Sequence, residues 1–242
     1  MFSNIKYDFK NKVVLVIGGS RGIGASLVKE FQRSNAKVFY CARNINKSLY
    51  KAKYIKCDLS YEDNVYDLFK EFSENQKLDI LINTAAINFS REFNEIKYNE
   101  WKQVIDVNLN ATFLVLQLAS KIMIKNRSGK IVNISSIAGK SKSIASGAHY
   151  VSSKAGIIGL TRQLAYEVAK YNVNVNVLCP SQTMTDMLKQ TMSEEEILEL
   201  EKTIPLKRIA TLKEQIGPIM FLCSDAASYI TGACLDVNGG QL

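Results

Sequence analysis

The sequence predicts an α/β fold: one domain built on a doubly wound parallel sheet of about seven strands, with helices on both faces. Three observations predict it. Short apolar runs rich in Val and Ile alternate along the chain with longer stretches of helical periodicity, the order expected when crossover helices return each strand parallel to the last. A glycine cluster, Gly18-Gly19-Ser20-Arg21-Gly22-Ile23-Gly24, lies between the first such run and the first such helix. The 242 residues, 47% of them hydrophobic, suit a single large core, and no repeat, low-complexity tract or linker divides them.

The first strand is expected near 12–17, where Val13-Val14-Leu15-Val16-Ile17 is apolar throughout, as a buried strand is. The helix after it, near 22–34, places Ile23, Leu27 and Phe31 on one side. Further strands are expected near 36–41, 52–57, 78–82, 130–134, 173–178 and 234–238. Helices are expected near 61–75, 98–126, 149–171 and 211–224. The link from Cys41 to Ala52 is short and polar. A parallel crossover takes about a dozen residues, so a turn or two of helix is all that fits there. The segment 181–205 breaks the alternation. It carries Met184, Met187, Leu188 and Met192, then Ser193 followed three residues on by Glu196, a capping-box signature that opens an acidic helix. A long excursion with adaptable apolar side chains beside a binding crevice predicts a substrate lid over about 182–205.

A strand, a glycine-rich turn and a helix in that order aim backbone N–H groups and a helix N-terminus at a phosphate. Glycine is needed where the backbone approaches the ligand or takes a positive φ. The spacing of Gly18, Gly22 and Gly24 differs from the commoner Gly-x-Gly-x-x-Gly dinucleotide fingerprint. An NAD-type site usually carries an acidic residue at the end of the second strand. Here Val38-Phe39-Tyr40-Cys41-Ala42-Arg43 holds no carboxylate, Arg43 closes it, and Arg21 projects from the turn. Two guanidinium groups can take a 2′-phosphate through charge-assisted hydrogen bonds, so NADP(H) is expected over NAD(H).

Tyr150 and Lys154 form Tyr-x-x-x-Lys. Four residues is about one helical turn, so both side chains leave the same face. A free phenol has a pKa near 10 and is a poor proton donor or acceptor at neutrality. A neighbouring ammonium is expected to lower that pKa and bring the phenol into working range. Ser136 follows the apolar run Ile131-Val132-Asn133-Ile134, at a strand end where open α/β sheets collect their ligands. Asn108 lies inside a long apolar helix, where an amide must find partners or cost stability.

These motifs together resemble the short-chain dehydrogenase/reductase family. The resemblance runs over nearly the whole chain and includes Gly18 to Gly24, Asp58, Asn83-Thr84-Ala85-Ala86, Asn108, Ser136, Tyr150, Lys154, Pro180-Ser181 with Thr185, and Ile230-Thr231-Gly232 with Asn238-Gly239-Gly240. It is nearest the 3-oxoacyl-[acyl-carrier-protein] reductase type. It implies a Rossmann-type domain over 1–242 and a catalytic tetrad of Asn108, Ser136, Tyr150 and Lys154. In that scheme Asn108 holds a water on a proton relay to Lys154. The cofactor is expected on Gly18, Ser20, Arg21, Gly22, Ile23, Gly24, Arg43, Asp58, Leu59, Asn83, Ala85, Tyr150, Lys154, Pro180, Thr183 and Thr185. The substrate is expected on Ser136, Ile137, His149, Tyr150, Met184 and Met187. Two departures stand out: the family's Asn-Asn-Ala-Gly is Asn83-Thr84-Ala85-Ala86 here, and its Pro-Gly is Pro180-Ser181. Both add side chains expected to narrow the nicotinamide pocket.

The reaction implied is hydride exchange between the cofactor and a carbonyl, most simply a 3-oxoacyl thioester on acyl carrier protein or coenzyme A. A sugar or polyol dehydrogenase is the alternative, with Arg91 available for a substrate carboxylate. A nucleotide-binding regulatory subunit is a third, from another class. The net charge of +8 fits an acidic partner or phosphorylated cofactor, with Lys121, Lys125, Arg127, Lys130, Lys140 and Lys142 expected as a cluster near the active-site strand. No nucleic-acid motif accompanies the charge. Five cysteines without Cys-x-x-Cys fit a reduced, cytoplasmic chain, and a single histidine, His149, leaves no His-rich metal site and no Ser-His-Asp triad. No metal is expected. The N-terminus is polar and no run of ~18 apolar residues marks a membrane span. The helices at 98–126 and 149–171 are expected to pack against a second subunit, as the family's homodimers and homotetramers do.

Overall fold

The computed structural model describes residues 5–49, 51–73, 77–143, 145–185, 188 and 193–242. Among them the strands are β1 (Val13–Ile17), β2 (Lys37–Ala42), β3 (Lys53–Lys56), β4 (Ile80–Asn83), β5 (Gly129–Ile134), β6 (Val173–Pro180) and β7 (Cys234–Val237). They form one sheet in the order β3-β2-β1-β4-β5-β6-β7, with every pairing parallel. The helices are α1 (Gly22–Arg33), α2 (Glu62–Ser73), α3 (Tyr98–Ile105), α4 (Ala111–Asn126), α5 (Ala148–Val168), α6 (Glu194–Thr203) and α7 (Leu212–Cys223). Among the described residues, the link between β2 and β3 holds the 3-10 turn Lys47–Leu49, in keeping with its length.

The uninterrupted apolar strands are explained by two cores, one on each face. Leu15, Ile17 and Phe39 pack with Val65, Leu68, Phe72 and Val115 of α2 and α4. Val14, Val16 and Tyr40 face the other way and pack with Leu27 and Phe31 of α1 and Ile219 of α7. Alternate residues of one strand thus serve opposite cores, the reason a doubly covered strand tolerates no polar face. Two of the strand asparagines direct their amide hydrogens to helix hydroxyls. Asn83 donates to Thr112 at 2.8 Å and Asn133 to Thr161 at 2.9 Å.

The expected helix 98–126 is one continuous run, with α3 and α4 joined by a single π-turn at Asp106–Asn110. Despite its interrupting Thr112 and Gln117, this is the one helix among the described residues that is long and apolar enough to cross a membrane, with mean hydropathy 1.4 over its best window. Over half of that window, 56%, is buried in the domain. Its apolarity is thus largely accounted for by the sheet it covers.

The glycine turn is fixed by close approach. Gly18 takes a φ of +79°, and a Cβ there would lie 2.8 Å from Ala85 Cα. At Gly24 a Cβ would lie 2.3 Å from the Gly18 carbonyl oxygen and 2.7 Å from Thr84 Oγ1. In an ordinary helix Gly→Ala stabilises by about 1 kcal/mol. Gly24→Ala is expected to reverse that sign, because the intruding methyl meets first the Gly18 backbone, which cannot swing away as a flexible side chain can. A melting temperature at or above wild type would show that the turn can open.

Candidate active site

The strand order turns back between β1 and β4, and outside the carboxyl ends of these strands lies a crevice of about 480 Å³. This is where a doubly wound sheet leaves room for a ligand, since the crossovers from β1 and β4 run to opposite faces. One end is walled by the glycine turn, Arg43 and Asp58; the other by Ser136, Tyr150, Lys154, Pro180 and Thr185.

Ser136, Tyr150 and Lys154 converge at that second end. Ser136 ends the β5 segment and caps the short turn Ile137–Gly139, its Oγ accepting from Ala138 N at 3.1 Å. Tyr150 and Lys154 project from the first turns of α5. The Ser136 side chain stands near the Tyr150 hydroxyl and favours its ionised form. Lys154 Nζ stands 5.4 Å from the centre of the Tyr150 ring and donates to the Ile134 carbonyl at 2.8 Å. Ser135 Oγ donates to the Lys154 carbonyl at 2.8 Å, and Gly139 lies so close that a Cβ there would sit 2.6 Å from the same carbonyl carbon. The β5 end and α5 are thereby locked together, which holds the three groups in place.

The electrostatics differ from the expectation that lysine lowers the phenol. Burial pushes Tyr150 up to about 12, opposed only by the nearby Ser136 side chain. Burial also pushes Lys154 down to about 8, partly offset by the nearby Cys179. Desolvation disfavours the charged form of both groups, and it is the largest cause for each. Tyr150 is therefore a protonated donor throughout the neutral range, while Lys154 changes charge within reach of it.

The Lys154 shift gives a stability prediction. Its folded pKa of about 8 lies below the ordinary 10.5. Between these values the unfolded chain binds a proton that the folded chain does not, so stability rises with pH. Denaturant titrations from pH 8 to 10 are expected to show wild type gaining stability relative to Lys154→Met. A constant difference between the two would place the lysine in water.

The opposite end of the crevice fits a dinucleotide phosphate. Helix α1 starts without a side-chain cap and with no acidic residue in its first turn. Its first residue, Gly22, takes a φ of +55° and faces open space. Unbonded N–H groups at a positive helix end beside an open groove suit an anion. Ser20, Arg21, Ile23, Leu59, Ala85 and Thr183 line the same crevice. Arg21 and Arg43 are exposed on its rim, and among the described residues neither guanidinium is drawn into an ion pair. The residues present fit a nicotinamide dinucleotide.

Several expected site residues stand behind the wall instead. Asn83 is buried, donating to Thr112 and accepting from Ala85 N at 3.4 Å. Asn108 is fully buried in the π-turn. Its Nδ2 donates to the Ile87 carbonyl at 2.9 Å and Ser153 Oγ at 3.1 Å, and its Oδ1 accepts from Ile87 N at 2.8 Å. Both amide hydrogens are spent, so its side chain acts here as a strut from α5 to the crevice loop rather than as a holder of relay water. His149 is fully buried, with Nδ1 accepting from Tyr150 N at 2.8 Å and its ring against Phe89, which removes it from substrate contact. Ile137 is half-buried on the Ser136 turn outside the crevice lining. Met184 packs with Leu188 and Ile197 around Leu200, Ile204 and Ile209; Met187 lies outside the described residues.

Other expectations are corrected by topology. Arg91 is paired with Glu100 at 3.3 Å, which neutralises it as a carboxylate receptor. The basic cluster is split. Lys130 opens β5 and donates to Asn174, whereas Lys140 follows the far end of that strand and pairs with Asp236. The four strand residues from Ile131 to Ile134, roughly 13 Å of strand, lie between the two groups. Thr84, which departs from the family pattern, turns its hydroxyl to the Ile17 carbonyl at 2.8 Å and so braces the glycine turn. Gln103 and Val107 of the π-turned helix also reach the crevice. Nothing local in the sequence marked them, because only the chain path after β4 brings that helix over the site.

A dinucleotide groove ending in a Ser-Tyr-Lys constellation defines a nicotinamide-dependent oxidoreductase of carbonyls and alcohols. A family profile described as Enoyl-(Acyl carrier protein) reductase matches residues 17–241, and the chain belongs to the short-chain dehydrogenase/reductase family. It is 36% identical to a 3-oxoacyl-[acyl-carrier-protein] reductase of Aquifex aeolicus, covering 98% of this chain and 100% of the relative. It is 34% identical to an acetoacetyl-CoA reductase of an Acinetobacter species, covering 96% and 98%. A solved short-chain dehydrogenase of Leptospira borgpetersenii with bound NAD+ superposes with a TM-score of 0.89 at 30% identity, covering 97% of this chain and 94% of that one.

Proposed function

We propose that this protein is an NADPH-dependent reductase of 3-oxoacyl thioesters, carried on coenzyme A or on an acyl carrier protein. The observation that carries the chemistry is the convergence, at one end of the crevice, of Ser136, Lys154 and a Tyr150 kept protonated by burial. A substrate carbonyl at this end of the crevice accepts from Ser136 and Tyr150 together. Such paired donors favour the negative charge that develops on the oxygen, and Tyr150 then gives up its proton as the alcohol forms. Lys154, held on the Ile134 carbonyl, supports the phenolate left behind and bonds the cofactor ribose. Bound nicotinamide supplies the hydride. Asn108 keeps the crevice loop at its distance from α5.

The names of the two relatives support the thioester class, and the charge on Arg43 and Arg21 with no carboxylate in β2 supports NADPH. The segment 182–205, including α6, serves as the lid over the acyl chain. The face of α4 and α5 supports a homodimer or homotetramer. Phe113 and Tyr166 are exposed there, and Leu109 and Leu160 line a groove of about 850 Å³. We place the protein in the cytoplasm. Turnover of acetoacetyl-CoA against a panel of ketogluconates, each with NADPH and NADH, tests the reading. Acetoacetyl-CoA with NADPH is expected to give the highest kcat/KM. Preference for a ketogluconate would move the assignment to a sugar dehydrogenase, and cofactor binding without turnover on any carbonyl would move it to a regulatory subunit.

A further inference from the structure

Behind Lys154, at the edge where β7 closes the sheet, three potential metal ligands meet. Cys179 Sγ and Cys234 Sγ are 3.3 Å apart, and with a carboxylate oxygen of Asp236 all three donor atoms lie within 4.8 Å of one another. We propose that Cys179, Cys234 and Asp236 form a binding site for a thiophilic divalent cation of the Zn²⁺ type.

Strand register decides between a metal clamp and a disulfide. Val177 stands opposite Cys234, and Cys179 opposite Asp236. The cysteines are therefore diagonal, two residues apart along the strands and one strand apart across. At about 3.3 Å per residue and about 4.8 Å between strands, their Cα atoms are roughly 8 Å apart. A disulfide spans no more than about 7 Å without moving the backbone. A tetrahedral zinc with bonds of about 2.3 Å to sulfur holds two sulfurs about 3.8 Å apart, a spacing these side chains reach by opening about 0.5 Å. Asp236 projects from the same face as Cys234 because they are two residues apart on one strand.

The site has an entrance and a competitor. Cys179 is buried, but Cys234 is only half-buried and the Asp236 side chain is 31% exposed, so an ion enters from the Asp236 side. Lys140 now occupies Asp236 as an ion pair and must give it up. Binding converts two thiols to metal thiolates and releases two protons, with no electron transferred. Solvent completes the fourth position. The donors come from residues 55 apart in sequence, so no Cys-x-x-Cys spacing announces them. Cys41 and Cys57 are also neighbouring thiols, but among the described residues they are not part of a comparable cluster with a carboxylate.

The test is binding by the whole protein, reduced with a phosphine and stripped of metal. Titration with Cd²⁺ is followed by thiolate-to-metal ultraviolet absorption, and titration with Zn²⁺ by calorimetry in two buffers of different ionisation heat. One ion per chain with release of about two protons is expected. Cys234→Ser is expected to remove the saturable absorption, and Asp236→Asn to weaken Zn²⁺ binding at least ~10-fold, or about 1.4 kcal/mol. The Cys41→Ser/Cys57→Ser protein is expected to bind as wild type does. Metal-free melting curves confirm that each variant is folded. The proposal falls if no one-to-one binding occurs, if it survives Cys234→Ser in a folded protein, or if it is lost in the Cys41/Cys57 variant instead. None of these readouts uses the reductase reaction, so they succeed or fail independently of it.

Discussion

Tyr150→Phe is expected to lower kcat by at least ~100-fold, the scale of losing a general acid, while the protein stays folded and binds cofactor. Phenylalanine fills the same space on α5, so the packing that locks α5 to the end of β5 survives. What disappears is the hydroxyl that meets Ser136. Ser136 Oγ keeps its bond from Ala138 N at 3.1 Å, so its turn remains capped. The carbonyl oxygen then has one donor in place of two, and the phenolic proton is gone, leaving Lys154, which is tethered to the Ile134 carbonyl, as the remaining acid at that end of the crevice. Steady-state rates with acetoacetyl-CoA and NADPH check this, with cofactor fluorescence titration as the binding control. Loss of cofactor affinity along with the rate would point to a collapsed crevice; near-normal turnover would remove Tyr150 from the chemistry.

What was legible in the sequence was whatever is set locally. The run Val13 to Ile17, the glycine turn and α1 were readable because strand, turn and helix are consecutive and each has its own period. The three convergent groups were readable because Tyr150 and Lys154 share a helical turn and Ser136 ends a strand. What escaped depends on environment or on register. The direction of the Tyr150 shift was misjudged because sequence reveals a lysine one turn away but not the desolvation around both groups. His149 was expected at the substrate through the resemblance, but adjacent helical residues diverge by about 100°, and this one is buried against Phe89. The basic cluster dissolved because sequence proximity across β5 becomes separation by a strand length. The pairing of Cys179 with Cys234 was hidden for the converse reason, since a parallel edge strand joins residues far apart in the chain.

Replacing Arg21 and Arg43 by alanine is expected to lower kcat/KM for NADPH by about 10–100-fold for each residue, because a hydrogen bond to a charged group contributes about 1.5–3 kcal/mol and each 1.4 kcal/mol is tenfold. The values for NADH are expected to change little. The asymmetry follows from what each guanidinium does now. Arg21 sits at the N-cap of α1, but its side chain makes no capping bond, so removing it leaves the helix start intact. Arg43 lies just beyond β2 and is exposed, so its loss opens no cavity. Neither change touches Ser136, Tyr150 or Lys154 at the far end of the crevice, and kcat at saturating cofactor is expected to hold. Added salt is expected to weaken NADPH more than NADH in wild type, since exposed charges are screened, and this difference should vanish in the double variant. A wild-type protein with the higher kcat/KM for NADH would overturn the assignment. The two arginines would then be surface charges, and the missing carboxylate in β2 would need another explanation.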